Sequence, residues 1–234
     1  MSSPLRERRR AAATGEILDA ARAQIAEHGP AALALRSIAR TLGMTVQALY
    51  HYFPSRDELI TALITAAYHD LADAVQAALD APGSADRPRF VVAAEGFRAW
   101  AVDNNAQFQL IYGTPLPHYR APSDGRTTAG ASRLAAVFIP ELFGGFTRDQ
   151  LARAEFPPLS PALRAHLAEL PPEAIGALPP PAAALFVSAW GQLHGLVTLE
   201  AFGHTAFLGP LHSEIFRGAM HNLLTDTRRR IDGG

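Results

Sequence analysis

Residues 35–53 read LRSIARTLGMTVQALYHYF. Leu35, Ile38, Ala39 and Leu42 recur at helical spacing, and Gly43 interrupts them. A further short helix is expected from about Val46 to Phe53, ended by Pro54. Ala39, Gly43 and Leu49 sit where a helix-turn-helix needs them. The small residue lets the two helices approach, and glycine tolerates the positive φ of a tight turn. The large apolar residue locks the second helix onto the first. Ile38, Leu42 and Phe53 complete a small core. With Leu49 and Phe53 turned inward, Thr45, Val46, Gln47, Tyr50, His51 and Tyr52 are left facing out.

That outward set has the chemistry of a DNA-reading surface. Glutamine can pair bidentately with adenine in the major groove, and a valine can touch a thymine methyl. Tyrosine hydroxyls and the helix N-terminus near Thr45 can hold phosphates. Arg36 and Arg56 flank the stretch with positive charge. The plainer alternative is a structural helical hairpin with an aromatic outer face.

Upstream, Ile17, Leu18, Ala21 and Ile25 mark another helix, stopped by Gly29 and Pro30. Before it, LRERRR places four arginines within residues 5–10, and all basic residues of the chain are arginine. This run reads either as a solvated terminus or as a cationic arm for phosphates or a minor groove. Downstream, SRDE at 55–58 reads as a capping box, in which Ser55 caps and Glu58 reaches back. A fourth helix follows through Leu59, Leu63, Ala67, Leu71 and Val75 to about Leu79. The residues DAPGSADRP at 80–88 form a turn or linker. Helical patterns then cover roughly 89–112, 128–143, 182–202 and 210–230, with a short helix near 161–170. Proline-rich segments separate them, and no stretch alternates as a strand would. The fold class expected is all-α. Its parts are a head at 1–55, a connecting helix at 56–79 and a larger helical domain at 80–234.

The chain has 234 residues, 48% of them hydrophobic, and a net charge of −1. That length supports one large domain or two modest ones. The charge is not that of a generally basic nucleic-acid binder, so any DNA-binding surface must be local. Cysteine is absent, which excludes disulfides and thiolate metal sites. The start lacks the apolar segment of a secretory signal, and no continuous run of about 18 apolar residues suggests a membrane span. A cytoplasmic protein without membrane association is therefore expected. The nine histidines are scattered without HExxH spacing, and no phosphate loop or nucleophile elbow occurs. Neither enzymatic activity nor a cofactor is expected.

LRSIARTLGMTVQALYHYFPSRDELI, with the basic residue that opens the next helix, resembles the N-terminal DNA-binding domain of the TetR family of bacterial transcriptional regulators. The likeness covers about residues 10–65, and ALYHYF resembles the family's recognition helix. It implies Arg36, Val46, Gln47 and His51 as base readers, and Thr45, Tyr50, Tyr52 and Arg56 as phosphate contacts. The arginine run resembles the basic arm of many members.

The resemblance also implies a C-terminal helical domain that binds a small effector and forms a homodimer on double-stranded operator DNA. The residues agree in part. Phe186, Trp190 and His194 follow one another in steps of four, on one helical face. With Trp100, Phe108 and Tyr112 they are candidate lining for an apolar pocket with a polar handle, suited to an apolar or aromatic effector. Ordinary core is the alternative for each. WGQLHG resembles the tryptophan-histidine-glycine signature of one TetR subgroup. The helices near 182–202 and 210–230 are candidates for a four-helix dimer interface, with Gly191, Gly195 and Gly203 permitting close approach. Those glycines could instead relieve crowding within one chain. The function expected is a repressor released from a palindromic operator by its effector. An activating or effector-independent DNA-binding protein is the alternative.

Overall fold

The computed structural model describes residues 4–114, 116, 119–121, 125–175 and 177–233. Among them are twelve α-helices and no strand. They divide into two compact units, one of residues up to Tyr68 together with 104–127, the other of 69–103 together with residues from Thr128 on.

In the first unit, α1 (Pro4–His28) buries Ile17, Ala21 and Ile25 along one stripe. Next come α2 (Leu35–Thr41), α3 (Val46–Tyr52) and α4 (Arg56–Asp80), which continues into the second unit. Their core holds Leu35, Ile38, Ala39, Leu49, Phe53, Leu59, Ile60 and Leu63, with Leu42 only partly buried at its edge. The LRERRR run is helical, as the first turns of α1, and not a separate arm before it.

One departure from the sequence reading concerns 89–112, expected as one helix. Asn104 leaves the helical region at φ −117° and ψ 43°, so α5 (Arg89–Asp103) ends and α6 (Asn105–Tyr112) starts anew. Asparagine favours such breaks because its side chain competes for backbone and neighbouring polar groups. The break lets Leu110 of α6 enter the core of the first unit, where α6 packs on α1. Ser55 accepts from the Glu58 amide at 3.1 Å, as expected, but the Glu58 carboxylate is held by Arg126 at 3.0 Å. The loop expected at 113–125 lies partly outside the described residues, and so does Gly176 of the later proline-rich segment.

The second unit contains α5, most of α7 (Arg126–Phe143), α8 (Arg148–Arg153), α9 (Pro161–Glu169), α10 (Pro172–Ile175), α11 (Pro180–Ala201) and α12 (His212–Asp232). Helix α5 packs against both α11 and α12, which also pack on each other. Gly96 makes a close approach to the end of α4 possible, since a Cβ there would lie 2.8 Å from the Ala78 Cβ. Helices α8 and α10 are too short to leave a periodic pattern. The Thr147–Gln150 capping box starts α8.

By length and composition α11 is able to cross a bilayer. The reading of the sequence found no such span because Gly191, Gln192, Gly195 and Glu200 interrupt the apolar run. Pro181–Phe186, Ala189, Leu193 and Val197 of α11 are buried within the second unit, whereas Val187 and Leu199 are exposed.

Candidate nucleic-acid interface and effector region

The turn between α2 and α3 is built on Gly43, whose φ of +63° lies where side chains are strained. The Met44 amide closes it onto the Ala39 carbonyl at 2.9 Å. Thr45 then caps α3, its hydroxyl oxygen accepting from the Ala48 amide at 3.1 Å. The hydroxyl proton stays available to donate outward. Leu49 is fully buried and fixes the roll of α3. Gln47, Tyr50 and His51 are consequently exposed.

Two candidates sit differently from the fully outward placement expected for them. Val46 and Tyr52 are half-buried against the head core. The Tyr52 ring stands edge-on to His51, with centroids 6.2 Å apart. Arg36 is exposed. Arg56 is half-buried, and its Nε donates to the Leu33 carbonyl at 3.3 Å, bracing the start of α4 against the segment before α2. A contact that sequence reasoning missed joins Arg10 to this surface. Its guanidinium lies over the Tyr52 ring, 5.8 Å from the centroid. Residues 1–56 carry eight arginines against four acidic residues, so this segment is net positive in a chain whose net charge is −1.

The six effector candidates divide between the two units. Trp100, Phe186, Trp190 and His194 lie in the second, Phe108 and Tyr112 in the first. Trp190 stacks edge-on to Phe97 and Phe138, with centroids 5.4 and 5.9 Å away, and tilts over His194 at 5.8 Å. Phe186 turns instead to Phe143. Phe97 and Phe138, which join the Trp190 cluster, were not among the candidates; their helical spacing alone did not separate lining from core. Burial holds the His194 imidazole below its usual pKa, so it is neutral near pH 7. Its Nδ1 lies 3.4 Å from the Thr198 hydroxyl. Trp100 and Phe108 are buried, and Tyr112 meets Tyr68 edge-on at 5.8 Å. Burial raises the pKa of both tyrosine hydroxyls.

Two surface clefts are described in the second unit. One of about 240 Å³ is lined by Leu185, Ser188, Gln192, Leu223, Asp226 and Arg230 among others. The other, of about 290 Å³, runs along α7 between Ala129 and Ile139. None of the six candidates lines either one. Among the described residues no cluster of acidic and histidine side chains could hold a metal.

A helix-turn-helix head joined to a helical domain defines a class of DNA-binding regulators, and comparison with known proteins places the chain in it. Residues 17–63 match the family described as "Bacterial regulatory proteins, tetR family". Residues 90–223 match "Tetracyclin repressor-like, C-terminal domain". The chain belongs to the TetR family of DNA-binding transcriptional regulators. The HTH-type transcriptional regulator Mb1846 of Mycobacterium bovis is 44% identical over 131 residues, 56% of each chain. The match thus spans about half the length of that curated relative. The crystal structure of SCO4313 is similar over 94% of this chain and 98% of that one, at 36% identity and a TM-score of 0.73. The TetR family regulator PfmR of Thermus thermophilus shares the fold, with 18% identity, a TM-score of 0.53 and coverage of 89% and 97%.

Proposed function

We propose that the protein is a homodimeric repressor that reads a palindromic operator through α3 and is released by a small apolar or aromatic effector. The observation that carries the reading half is the roll of α3. Leu49 is buried and Thr45 caps the helix, so Gln47, Tyr50 and His51 project together from one rigid element. Gln47, His51, Arg36 and Val46 are the base readers in this account, and Thr45, Tyr50, Tyr52 and Arg56 hold phosphates. Val46 is half-buried, so only part of its side chain is open to a base. Arg56 keeps terminal nitrogens for a phosphate while its Nε braces the head.

Two reading heads require two chains. The exposed apolar side chains of α11 and α12 support a two-fold pairing there. Val187 and Leu199 of α11 and Ile215 of α12 are 56%, 43% and 55% exposed. A Cβ at Gly191 or Gly195 would meet nothing within 4 Å, so neither glycine relieves crowding inside the chain. Both leave room for a partner helix. Gly203 has a reason of its own in its φ of +77°.

For effector sensing, the Trp190–His194 cluster offers an apolar wall with a neutral imidazole. That chemistry suits an uncharged aromatic molecule better than an anion. The effector would favour a dimer whose heads are wrongly spaced and shift the population off DNA, with α4 as the lever. Repression would take place where the chromosome is, in the cytoplasm. The tight packing of Trp100, Phe108 and Phe186 favours the second reading, a regulator that needs no effector. The two readings separate by titrating aromatic compounds into the preformed complex with DNA. Dissociation by one of them, abolished in a folded Trp190→Ala dimer, supports release. Release that survives Trp190→Ala rules out the assigned site.

A further inference from the structure

We propose that Phe207 is a knob that inserts into the cleft on α11 and α12 of a second copy, so that the two α11–α12 hairpins pair antiparallel. The inference rests on the homodimer of the proposed function and adds to it a direction and an anchor.

The knob is built by the segment between α11 and α12. Phe207 is 83% exposed, more than any other large apolar side chain among the described residues. A lone exposed phenylalanine would need no explanation. This one shares its end of the hairpin with exposed Phe202, Leu211 and Ile215, and its segment is held in shape. Gly209 turns the chain there at φ 54° and ψ −131°. The His212 ring spans the turn. Its Nδ1 donates to the Gly209 carbonyl at 2.6 Å, so in the neutral ring Nε2 accepts from the Thr205 hydroxyl at 2.9 Å. An aromatic side chain displayed on a braced segment loses little backbone freedom when a partner buries it, and such side chains anchor interfaces.

The hole lies toward the opposite end of the same hairpin. The cleft of about 240 Å³ has an apolar floor of Leu185, Ala189 and Leu223 and a rim that includes Ser188, Gln192 and Arg230. These residues belong to the first half of α11 and the second half of α12. About 20 Å of helix separates Ser188 from Ala201, where α11 ends, and Phe207 lies beyond it. The knob is therefore out of reach of its own cleft. A two-fold axis lying in the paired face, at right angles to the helices, exchanges the two ends. Each Phe207 then meets the other copy's cleft, the self-complementarity that an isologous pair requires. There the ring covers the apolar floor, with the Arg230 guanidinium at the rim to lie against its face. Charge favours the same direction. Glu214 stands in the first turn of α12, whereas Arg228, Arg229 and Arg230 outnumber Asp226 and Asp232 at its other end. Antiparallel pairing brings these unlike ends together, and parallel pairing would set like on like.

The chain has no cysteine, so an introduced pair reports a single contact. In the full-length protein, at a concentration where the variant is dimeric, mild oxidation should convert F207C/S188C to a covalent dimer on a non-reducing gel. A disulfide requires Cα atoms within about 7 Å, so the bond can form only where the knob meets the cleft. F207C alone should stay uncross-linked, and so should F207C/S132C, whose second cysteine lines the cleft along α7. Independently, F207A should raise the dimer dissociation constant about 10-fold or more in sedimentation equilibrium. Its circular dichroism should match the wild type, since the lost side chain packs on little within its own chain. Cross-linking of F207C alone as readily as of the pair would mean that the two Phe207 ends meet each other, and would overturn the antiparallel insertion. So would a dimer in which F207C/S188C stays uncross-linked, or in which F207A leaves the dissociation constant unchanged; both outcomes leave the dimer itself standing. A wild type that is monomeric at every concentration contradicts the homodimer of the proposed function and the knob with it.

Discussion

Gly43 shows how one residue sets the surface. No atom crowds the space a Cβ would occupy there, so its requirement is purely the positive φ. Gly43→Ala should cost the head about 1–2 kcal/mol, read as a lower melting temperature with little change in helix content. An unchanged melting temperature would show that the turn relaxes. Gln47→Ala should change preference at one base pair by about 1–3 kcal/mol, while Tyr50→Phe should weaken binding to all duplexes alike. A uniform loss for Gln47→Ala would remove it from the base readers. The turn and the exposure of Gln47, Tyr50 and His51 were legible from sequence because Ala39, Gly43 and Leu49 are spaced as one turn demands. The half-burial of Val46 and Tyr52 was not legible. It depends on how far α3 rolls, which tertiary contacts with the head core decide. Nor does spacing foretell that Arg56 lends its Nε to a carbonyl 23 residues away.

At the scale of elements, the long periodic helices stood out in the sequence. The break at Asn104 did not, because apolar spacing continues across it while the backbone turns. That turn places Phe108 and Tyr112 with the head and not with the group that their aromatic character suggested. Helix α11 carries the pH-sensitive group. His194 has its pKa lowered in the folded state by burial, so the folded protein resists a proton that the unfolded chain accepts. Its contribution to stability is full above the ordinary histidine pKa of about 6.5 and is lost as pH falls through the lowered folded value. Wild type should therefore lose more stability than His194→Phe between pH 7 and 5, in denaturant midpoints. Parallel curves would mean that His194 titrates normally. Close packing of α5 makes a further demand. Gly96→Val forces a side chain onto Ala78 and the Val75 backbone and should cost about 1–3 kcal/mol. Full stability in that variant would mean that α5 can shift at no cost.

At the scale of the whole molecule, the proposed function depends on pairing two heads. Val187→Asp with Leu199→Glu leaves the core untouched, so it should give a folded monomer in sedimentation velocity with much weaker operator binding. A stable dimer would move the interface off α11. Such a face is only half visible in sequence, where apolar residues that await a partner look like those that fill a core. The central claim is that this dimer reads a two-fold site. Its most direct test is selection of bound duplexes from a random-sequence pool by the purified protein. The account predicts an enriched inverted repeat, its half-sites about 34 Å or a multiple apart, bound roughly 10³-fold more tightly than unselected DNA. A pool that emerges with no enriched sequence, or with a lone half-site bound by one chain, would contradict it.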